Sequence, residues 1–539
     1  MKISFYKGNI RIEIKKIRER ASAGYRTAVF DRRKWLIVIA VLTFVSIASW
    51  FFYFRQGLTL SYNDARSHVD VARRVVDSLQ PGAAQIGSVW LPLFHVLEIP
   101  LIWNNFLWHT GIAGSIISMV AFVLGGIYVV KIGLKLKFDM RTIILILGVY
   151  ILNPNLIFMQ TTPMTESLLL FLAIASSYYI IDWVESYSVK SLIFSAFFTF
   201  LATLTRYDGW FYMLFAAGVI GFVSLRKKGY KFLEGNLILF GTLAGFGVAL
   251  WFLWNQVIFG HALYFLNGEF SAKAQQDAIF LTGRLLTKGN LFYSVFVYFE
   301  AVKYNLGTWA SILAIAGSIL LITTKEYSLN TKAAIAVLFA PLFFNILSLL
   351  SGNSVLYLPE LPPYTWFNDR YGLMMLPASI ILIGFLANKR KIVGILAAAV
   401  ILMETTSLYL GNNIITIQDG VRGASGQFLD DAGTWLTSNA KSGLIMVAAS
   451  SSDSLLFRSG FNLTRFITEG AKVYWQTSIK DPTVYATWVV MHKGDLVYKN
   501  LKENQSFLNN FHLVYYDSFS YIYERNNVKL PAIRAEELP

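Results

Sequence analysis

Long apolar runs separated by short polar segments follow one another through the first three quarters of the chain. A run of about 20 apolar residues is long enough to cross a bilayer as a helix. The first run, 35–54, follows a basic segment and lacks a small-residue cleavage site, so we interpret it as a retained membrane helix rather than a signal peptide. Ten further runs predict ten further spans, at residues 110–130, 142–158, 164–182, 191–205, 209–225, 235–259, 304–323, 333–351, 371–388 and 392–411.

One apolar segment, 89–108, does not fit this pattern. Pro92, His95, Glu98 and Pro100 interrupt it. We therefore predict an interfacial helix that lies on the outer surface of the membrane. The remaining eleven spans place the two ends of the chain on opposite sides of the bilayer.

Residues 412–539 contain no run long enough to span a membrane. Short apolar segments alternate there with polar helical stretches, which is typical of an α/β domain. The predicted fold is an α-helical polytopic membrane protein of about 11 transmembrane helices with a small C-terminal extracytoplasmic α/β domain. Its predicted parts are a basic cytoplasmic segment (1–34), a membrane domain (35–411, with a first outer loop at 55–109) and the α/β domain (412–539).

The composition supports a membrane protein. Of the 539 residues, 55% are hydrophobic and only 15% are charged, whereas soluble domains average about 25% charged residues. The chain has no cysteine, which excludes disulfide scaffolds, thiolate metal sites and cysteine nucleophiles.

The formal net charge of +15 would also suit a nucleic-acid-binding protein. The segments that the topology assigns to the inside, however, hold 25 of the 47 Lys and Arg residues. Positive charge concentrated in cytoplasmic loops is the usual signal of membrane topology. We therefore expect no nucleic-acid partner, a multi-pass protein of the plasma or cytoplasmic membrane, a cytoplasmic N-terminus and an extracytoplasmic C-terminal domain.

Four polar clusters lie at the predicted outer edge of the spans, where charged groups are informative because they are expensive at membrane depth. In the first, Asp64 and His68 are four residues apart and share one face of a predicted helix. Two interpretations of Asp64 remain open at this point. It either caps that helix, or it is a carboxylate placed to accept a proton.

The next two clusters, 160–166 and 205–210, adjoin predicted spans. Glu166 follows Pro163 in the first turn of a helix, which either marks a well-formed helix start or places a functional acid there. Arg206 and Asp208 form either a structural ion pair in a tight turn or part of a ligand site.

The fourth cluster contains Arg370 and Tyr371 at the start of an apolar helix. Arg370 either extends to lipid headgroups or binds a phosphate through its guanidinium fork. Taken together, two carboxylates and two arginines from different loops indicate chemistry on a phosphorylated, membrane-borne substrate.

With these clusters, the chain resembles the GT-C superfamily of polytopic glycosyltransferases, especially the branch with protein O-mannosyltransferases and aminoarabinose transferases. The resemblance covers about residues 35–390 and rests on the order and spacing of several short stretches. These are Tyr62-Asn63-Asp64-Ala65-Arg66-Ser67-His68, Gly87-Ser88-Val89-Trp90-Leu91-Pro92-Leu93, Leu152-Asn153-Pro154-Asn155, Thr162-Pro163-Met164-Thr165-Glu166, Thr205-Arg206-Tyr207-Asp208-Gly209-Trp210 and Asp369-Arg370-Tyr371-Gly372.

The resemblance implies a hexosyl- or pentosyltransferase with an extracytoplasmic active site and a polyprenyl-phosphate-linked sugar donor. The acceptor would be a hydroxyl of a protein, lipid or glycan, and membrane lipids would surround the site. Asp64 would act as general base in an inverting transfer. Arg370 and secondarily Arg206 would hold the lipid phosphate, while Glu166 would orient the acceptor or help to bind a divalent cation.

The remaining predicted substrate-binding residues are His68, Asp208 and Tyr371. His68 either hydrogen-bonds Asp64 or is a structural histidine. The first outer loop of that branch often carries two adjacent acids, whereas this chain has Asn63-Asp64. The sequence therefore does not demand a metal, and Asp64 and Glu166 are the candidate ligands if a divalent cation binds.

A secondary transporter of a phosphorylated or glycan substrate is the main alternative. Such a protein would show inverted repeats and polar groups near the bilayer midplane. The chain has no repeated halves, and its polar clusters lie at one edge, with Glu404 as the main exception. A receptor or structural protein is a third possibility, although eleven spans exceed what anchoring requires.

Overall fold

The computed structural model describes residues 30–268, 271–425 and 430–526. Of the predicted basic segment at 1–34, only the last five residues lie within these ranges. The first helix begins beside Asp31, whose side chain accepts a hydrogen bond from Lys34 N at 2.9 Å and so caps the helix. The chain is a largely helical, multi-pass integral membrane protein.

Helices α1 to α11 lie between residues 32 and 259. Their bounds are α1 Arg32–Arg55, α2 Asn63–Arg74, α3 Leu93–Ile102, α4 Asn105–His109, α5 Ile112–Lys135, α6 Met140–Leu152, α7 Pro154–Met159, α8 Glu166–Ser186, α9 Val189–Thr203, α10 Tyr207–Lys228 and α11 Tyr230–Phe259.

Helices α12 to α20 follow, together with short 3₁₀ turns. Their bounds are α12 Tyr264–Asn267, α13 Ala272–Leu281, α14 Leu291–Leu306, α15 Thr308–Thr323, α16 Leu329–Ala336, α17 Ala340–Ser351, α18 Leu376–Lys389, α19 Lys391–Leu410 and α20 Ile415–Arg422. The 3₁₀ turn Asp369–Met375 leads directly into α18 and carries one of the polar clusters.

Each of the eleven predicted spans overlaps one of these helices. Within the described ranges, eight helical segments are long and apolar enough to cross a bilayer, and the bent pair of α14 and α15 is either a ninth, broken span or a re-entrant loop. The other two predicted spans, 142–158 and 191–205, overlap the shorter apolar helices α6 and α9. The largest apolar core lies among these helices and draws residues from nearly all of them.

The bend between α14 and α15 explains Glu404, the polar residue that did not fit the edge pattern. The chain bends by 111° between the two helices. The bend lies at Gly307, whose φ of 96° favours glycine. The Glu404 carboxylate accepts hydrogen bonds from Trp309 N at 3.0 Å and Ala310 N at 3.1 Å. Glu404 therefore caps the first turn of α15 from a neighbouring helix.

The segment 89–108 forms α3 and α4 instead of a membrane span. Ten helical residues extend about 15 Å, half the thickness of the hydrocarbon core. Trp103 and Phe106 are 66% and 63% exposed, as expected of an interfacial element. Trp108 is instead fully buried, with its Nε1 donating to Asp70 Oδ1 at 2.9 Å.

The C-terminal domain contains a five-stranded mixed sheet. Its elements are α21 Asp430–Asn439, β1 Leu444–Met446, α22 Ala449–Ser459, β2 Phe466–Ile467, α23 Lys472–Ser478, β3 Ala486–His492, α24 Leu496–Leu501, α25 Gln505–Asn510, β4 Phe511–Tyr516 and β5 Ser520–Arg525. The strand order is β2-β1-β3-β5-β4, with parallel pairing among β1, β2 and β3 and antiparallel pairing of β3 with β5 and of β5 with β4. This confirms the predicted small α/β domain.

The C-terminal domain packs directly on α2. Arg74 at the end of α2 forms an ion pair with Asp453 of α22 at 3.0 Å, and Arg66 Nη1 donates to Ser454 Oγ at 2.9 Å. Val69 and Ala72 of α2 belong to the same apolar core as residues of α22 and the sheet. The helix that carries Asp64 is thus held between the membrane helices and the C-terminal domain.

Candidate active site

A cavity of about 660 Å³ lies where α2, α10, α17 and the 3₁₀ turn Asp369–Met375 meet. This volume is typical of a small-molecule site. Six of the seven predicted site residues line it, namely Asp64, His68, Arg206, Asp208, Arg370 and Tyr371. The seventh, Glu166, is fully buried and contacts both arginines.

Two glycines in the predicted motifs allow the backbone segments around the site to pack closely. A Cβ added to Gly209 would lie 2.2 Å from Ala202 O, and a Cβ added to Gly372 would lie 2.2 Å from Ala301 O. Glycine at these positions lets α10 approach α9 and lets the 3₁₀ turn approach α14. The adjacent Arg206 and Arg370 are thereby brought to the same cavity.

The Asn153-Pro154-Asn155 motif supports the same region from behind. Asn153 Oδ1 caps α7 by accepting from Leu156 N at 2.8 Å, and its Nδ2 donates to Asn305 O at 2.8 Å. Asn305 Nδ2 in turn donates to Asp369 O at 2.6 Å. This chain of buried amides ties the start of α7 to the backbone beside Arg370.

Arg370 lies at the centre of the charged cluster, and its side chain is only 3% exposed. Its Nη2 donates to Asp64 Oδ2 at 2.5 Å, and its Nε donates to Glu166 Oε1 at 3.0 Å. An arginine at the membrane edge would otherwise extend to lipid headgroups. The burial shows that this interpretation of Arg370 is wrong and that the residue belongs to the cavity wall.

Glu166 joins the two arginines through a single oxygen. Its Oε1 accepts from Arg206 Nη1 and from Arg370 Nε, both at 3.0 Å. The other oxygen, Oε2, is buried and has no hydrogen-bond partner within the protein. Since a buried carboxylate is stable only when paired, the two guanidiniums hold Glu166 in place as much as Glu166 holds them.

Arg206 continues the cluster towards α10. Its Nε donates to Asp208 Oδ2 at 3.2 Å, so the ion pair suggested by the sequence is present, and its Nη1 also donates to Thr165 Oγ1 at 3.1 Å. The ring of Tyr371 lies 5.2 Å from the Arg206 guanidinium and 5.5 Å from that of Arg370. Such contacts stabilise two like charges at close range.

Asp64 presents the most accessible carboxylate of the cluster. Its side chain is 38% exposed, compared with 0% for Glu166. The residue lies in the first turn of α2, while the cap position is Tyr62, which makes no side-chain capping bond. The capping interpretation of Asp64 is therefore wrong, and Asp64 faces the cavity with Arg370 as its partner.

His68 has a different partner from the one the sequence suggested. Its Nδ1 lies 2.8 Å from His95 Nε2, and its ring lies 4.4 Å from the ring of Trp90. Asp64, the hydrogen-bond partner that the sequence suggested for His68, is paired with Arg370 instead. Burial, together with the nearby arginines 206 and 370, lowers the pKa of His68 to about 3, so His68 is a neutral ring in the cavity wall.

Comparison with solved structures shows that the fold of this chain is a known one. The crystal structure of ArnT from Cupriavidus metallidurans bound to undecaprenyl phosphate aligns with a TM-score of 0.57 and 11% identity over 92% of this chain and 98% of that chain. The apo structure of the same protein aligns with a TM-score of 0.54 and 12% identity over 91% and 97% of the two chains.

This chain has a GT-C-like fold. The alignment to ArnT confirms the predicted fold, while membership of the superfamily and of a particular branch stays a prediction. No family model and no curated protein sequence matches the chain. At 11–12% identity, the structural likeness establishes the fold and leaves the chemistry to be argued from the cavity.

Sequence reasoning missed one charged member of the cluster, Asp419 of α20. It is fully buried, and its Oδ2 lies 3.7 Å from Arg370 Nη1 and accepts from the Tyr62 hydroxyl at 3.3 Å. A lone acid just after the last span carried no signal of this role. The domain boundary at residue 412 stays a prediction, but the cavity wall uses residues on both sides of it.

The two candidate metal ligands do not form a cation site in this arrangement. Asp64 and Glu166 are joined by the positively charged guanidinium of Arg370. Among the residues that the structure describes, no group of three or more His, Cys, Asp or Glu side chains could hold a metal ion. Asp64 and Glu166 therefore do not fit a divalent cation held between them.

Proposed function

We propose that this chain is a membrane glycosyltransferase that moves a sugar from a polyprenyl-phosphate donor to an extracytoplasmic acceptor hydroxyl, with inversion. The observation that carries the proposal is a single cavity that combines one accessible carboxylate, Asp64, with the two arginines 206 and 370. The GT-C-like fold shared with ArnT, which was crystallised with undecaprenyl phosphate, agrees with a donor of this class.

The reaction requires a base and a stabilised leaving group. The acceptor oxygen attacks the anomeric carbon as its proton passes to Asp64. The bond between that carbon and the phosphate oxygen breaks, and the electron pair remains on the phosphate. Since a phosphate is already a stable anion, positioning and charge neutralisation supply most of the catalysis.

Arg370 and Arg206 are placed to bind the leaving phosphate. A guanidinium matches the geometry of phosphate oxygens with two parallel hydrogen bonds and stays protonated at every physiological pH. Glu166 fixes both guanidiniums relative to each other through one oxygen. In this proposal Glu166 is a positioning residue, while Asp64 contacts the reacting hydroxyl.

The rest of the cavity wall suits a lipid-linked sugar. Phe211, Phe344 and Leu347 line the part of the cavity between α10 and α17. Such an apolar wall would contact the first isoprene units of a polyprenyl chain. Trp90 also lines the cavity, with its ring 4.4 Å from that of His68, and would pack against the sugar. The C-terminal domain and this cavity are proposed to be extracytoplasmic, as the distribution of basic residues predicts.

The test is transfer of a radiolabelled sugar from polyprenyl phosphate to acceptors in membranes that contain the chain. We expect transfer by the wild-type protein, and a loss of at least about 100-fold for Asp64→Asn, because general-base catalysis typically contributes 10²–10⁴-fold. The matched control is Asp431→Asn, an exposed carboxylate in the C-terminal domain, which should retain wild-type activity. Normal transfer by Asp64→Asn would exclude this role for Asp64.

The same membranes distinguish the transporter alternative. Sealed vesicles that take up a labelled substrate without forming a glycosylated product would favour a transporter. Product formation without uptake supports the transferase.

A further inference from the structure

Arg370 is held by three carboxylates that differ sharply in exposure. The side chains of Glu166 and Asp419 are fully buried, whereas that of Asp64 is 38% exposed. Nε points to Glu166, Nη1 to Asp419 and Nη2 to Asp64, at 3.0, 3.7 and 2.5 Å respectively. Of these three partners, Asp64 is the one that a ligand entering from the cavity can replace.

Asp419 is fixed by its own surroundings. The Tyr62 hydroxyl donates its one proton between two acceptors, Thr416 O at 2.7 Å and Asp419 Oδ2 at 3.3 Å, which ties the first loop to α20. The Tyr62 ring also lies 4.9 Å from the Arg370 guanidinium. A Cβ added to Gly423 would lie 2.9 Å from Asp419 Oδ1, so the backbone closes over this carboxylate from the other side.

The first turn of α20 and the residues just after this helix also contact the membrane domain. Asn155 Oδ1 accepts from Thr416 N at 3.1 Å and from Thr416 Oγ1 at 2.9 Å. Ser425 Oγ, just past the helix, lies 3.5 Å from Arg370 Nη1. The segment that leads to the C-terminal domain is therefore built into the wall behind Arg370, and Asp419 has little freedom to move.

A phosphate that approaches Arg370 from the cavity meets the nitrogen that Asp64 occupies. Two anions cannot share that nitrogen without strong repulsion. We propose that Asp419 and Glu166 are the fixed anchors of Arg370 and that the donor phosphate displaces Asp64 from it. Displacement frees Asp64 to accept the proton of the acceptor hydroxyl, so that the base is released only when the donor is bound. This inference rests on the proposed function and names Asp419 as a positioning residue.

The proposal predicts binding changes of opposite sign for two acidic residues around one arginine. In Asp64→Asn the phosphate no longer competes with a carboxylate, so undecaprenyl phosphate should bind about fivefold to tenfold more tightly, although transfer is lost. In Asp419→Asn the anchor loses its charge, so the same ligand should bind about tenfold more weakly, with a raised donor KM and a smaller change in kcat.

The measurement is calorimetric titration of the full-length protein in detergent with undecaprenyl phosphate. Asp431→Asn should bind as the wild type does. Because a fully buried residue is changed in Asp419→Asn, Ser425→Ala provides a second, milder variant, with affinity reduced about threefold. Restoration of affinity in Asp419→Glu would support an anchoring charge.

Unchanged or weaker binding by Asp64→Asn would overturn the displacement, and wild-type affinity in both Asp419→Asn and Ser425→Ala would overturn the anchoring role of Asp419. These results are independent of the transferase assay. If Asp64→Asn transfers sugar normally, the proposed function fails whatever its affinity. If it is inactive and does not bind more tightly, the function stands and the displacement does not occur.

Discussion

Arg370 Nε lies 3.0 Å from Glu166 Oε1, although 204 residues separate the two in the chain. Both side chains are nearly or completely buried, at 3% and 0% exposed. The same oxygen accepts from Arg206, so one carboxylate links the two guanidiniums, which pair separately with Asp64, Asp419 and Asp208. Glu166 is thus the one acid that the two arginines share among these ion pairs.

We therefore expect Glu166→Gln to be the most damaging conservative change in the cluster. It leaves the buried guanidinium of Arg370 and the partly buried one of Arg206 without their shared counter-ion, which should lower the free energy of unfolding by about 3 kcal/mol. Unfolding in mixed micelles with SDS measures this loss. Asp208→Asn is the matched control, because the one ion pair of Asp208 among the described residues is with Arg206, which is 17% exposed, so about 1 kcal/mol is expected there. Equal losses in the two variants would contradict the central role of Glu166.

Tyr371 should act through its ring rather than its hydroxyl. The ring lies within 5.5 Å of both guanidiniums. Tyr371→Phe keeps this ring and should retain wild-type activity within about twofold, whereas Tyr371→Leu should raise the donor KM about tenfold. Steady-state kinetics with the labelled donor measure both values. A Phe variant as impaired as the Leu variant would show instead that the hydroxyl is required.

Much of the fold was accessible from the sequence because the bilayer imposes a simple length rule on apolar runs. All eleven predicted spans overlap helices, and the α/β domain was indicated by its alternating segments. The absence of a span-length helix at 89–108 was also predictable, since His95 and Glu98 interrupt the segment, while its interfacial position stays a prediction. The burial of Trp108 was not foreseen, because it depends on the C-terminal domain, which packs against it from more than 300 residues away.

The site was predictable to a similar degree. The cavity collects Asp64, Arg206 and Arg370 because each follows or precedes a span at the same edge. The partners of these residues were not predictable: Asp64 pairs with Arg370 instead of His68, and Asp419 enters from a segment assigned to another domain. Pairings between distant segments depend on how helices pack, and a single sequence carries little information on that packing.

The buried histidine pair should make the protein sensitive to acid. Burial is the main cause that lowers the pKa of His68 to about 3 from an ordinary 6.5, and it also holds the pKa of His95 well below its usual range. At a pH between the lowered pKa of each histidine in the folded protein and its ordinary value in the unfolded chain, the unfolded chain binds more protons than the folded one. The contribution of these two histidines to stability therefore rises with pH up to about 6.5 and then levels, with a slope of up to about 1.4 kcal/mol per pH unit for each histidine.

Thermal unfolding measured between pH 4.5 and 7.5 tests whether stability falls as the pH is lowered. In His68→Gln only His95 of the buried pair can still bind a proton, so this variant should lose less stability than the wild type as the pH falls. His261→Gln changes an exposed histidine outside the site and should follow the wild-type curve. A His68→Gln curve parallel to the wild type would show that His68 is not held neutral.

The ion pair between Arg74 and Asp453 should couple the C-terminal domain to catalysis. It joins the end of α2, which carries Asp64 at its start, to α22 at 3.0 Å, with both side chains less than 20% exposed. A double-mutant cycle with Arg74→Ala and Asp453→Ala should give a coupling energy of about 1 kcal/mol in unfolding.

Each of these single variants should also lower kcat about threefold to tenfold with little change in donor KM, because a loosened α2 misplaces Asp64 while Arg370 and Arg206 stay in position. The exposed pair Arg141–Asp139 at 2.6 Å, with its arginine 60% exposed, is the control and should show neither coupling nor a kinetic effect. If the Arg74 and Asp453 variants raise the donor KM at unchanged kcat, then the contact supports the phosphate site rather than the base. A loss confined to stability, with normal kinetics, would make the C-terminal domain a passive cap on α2.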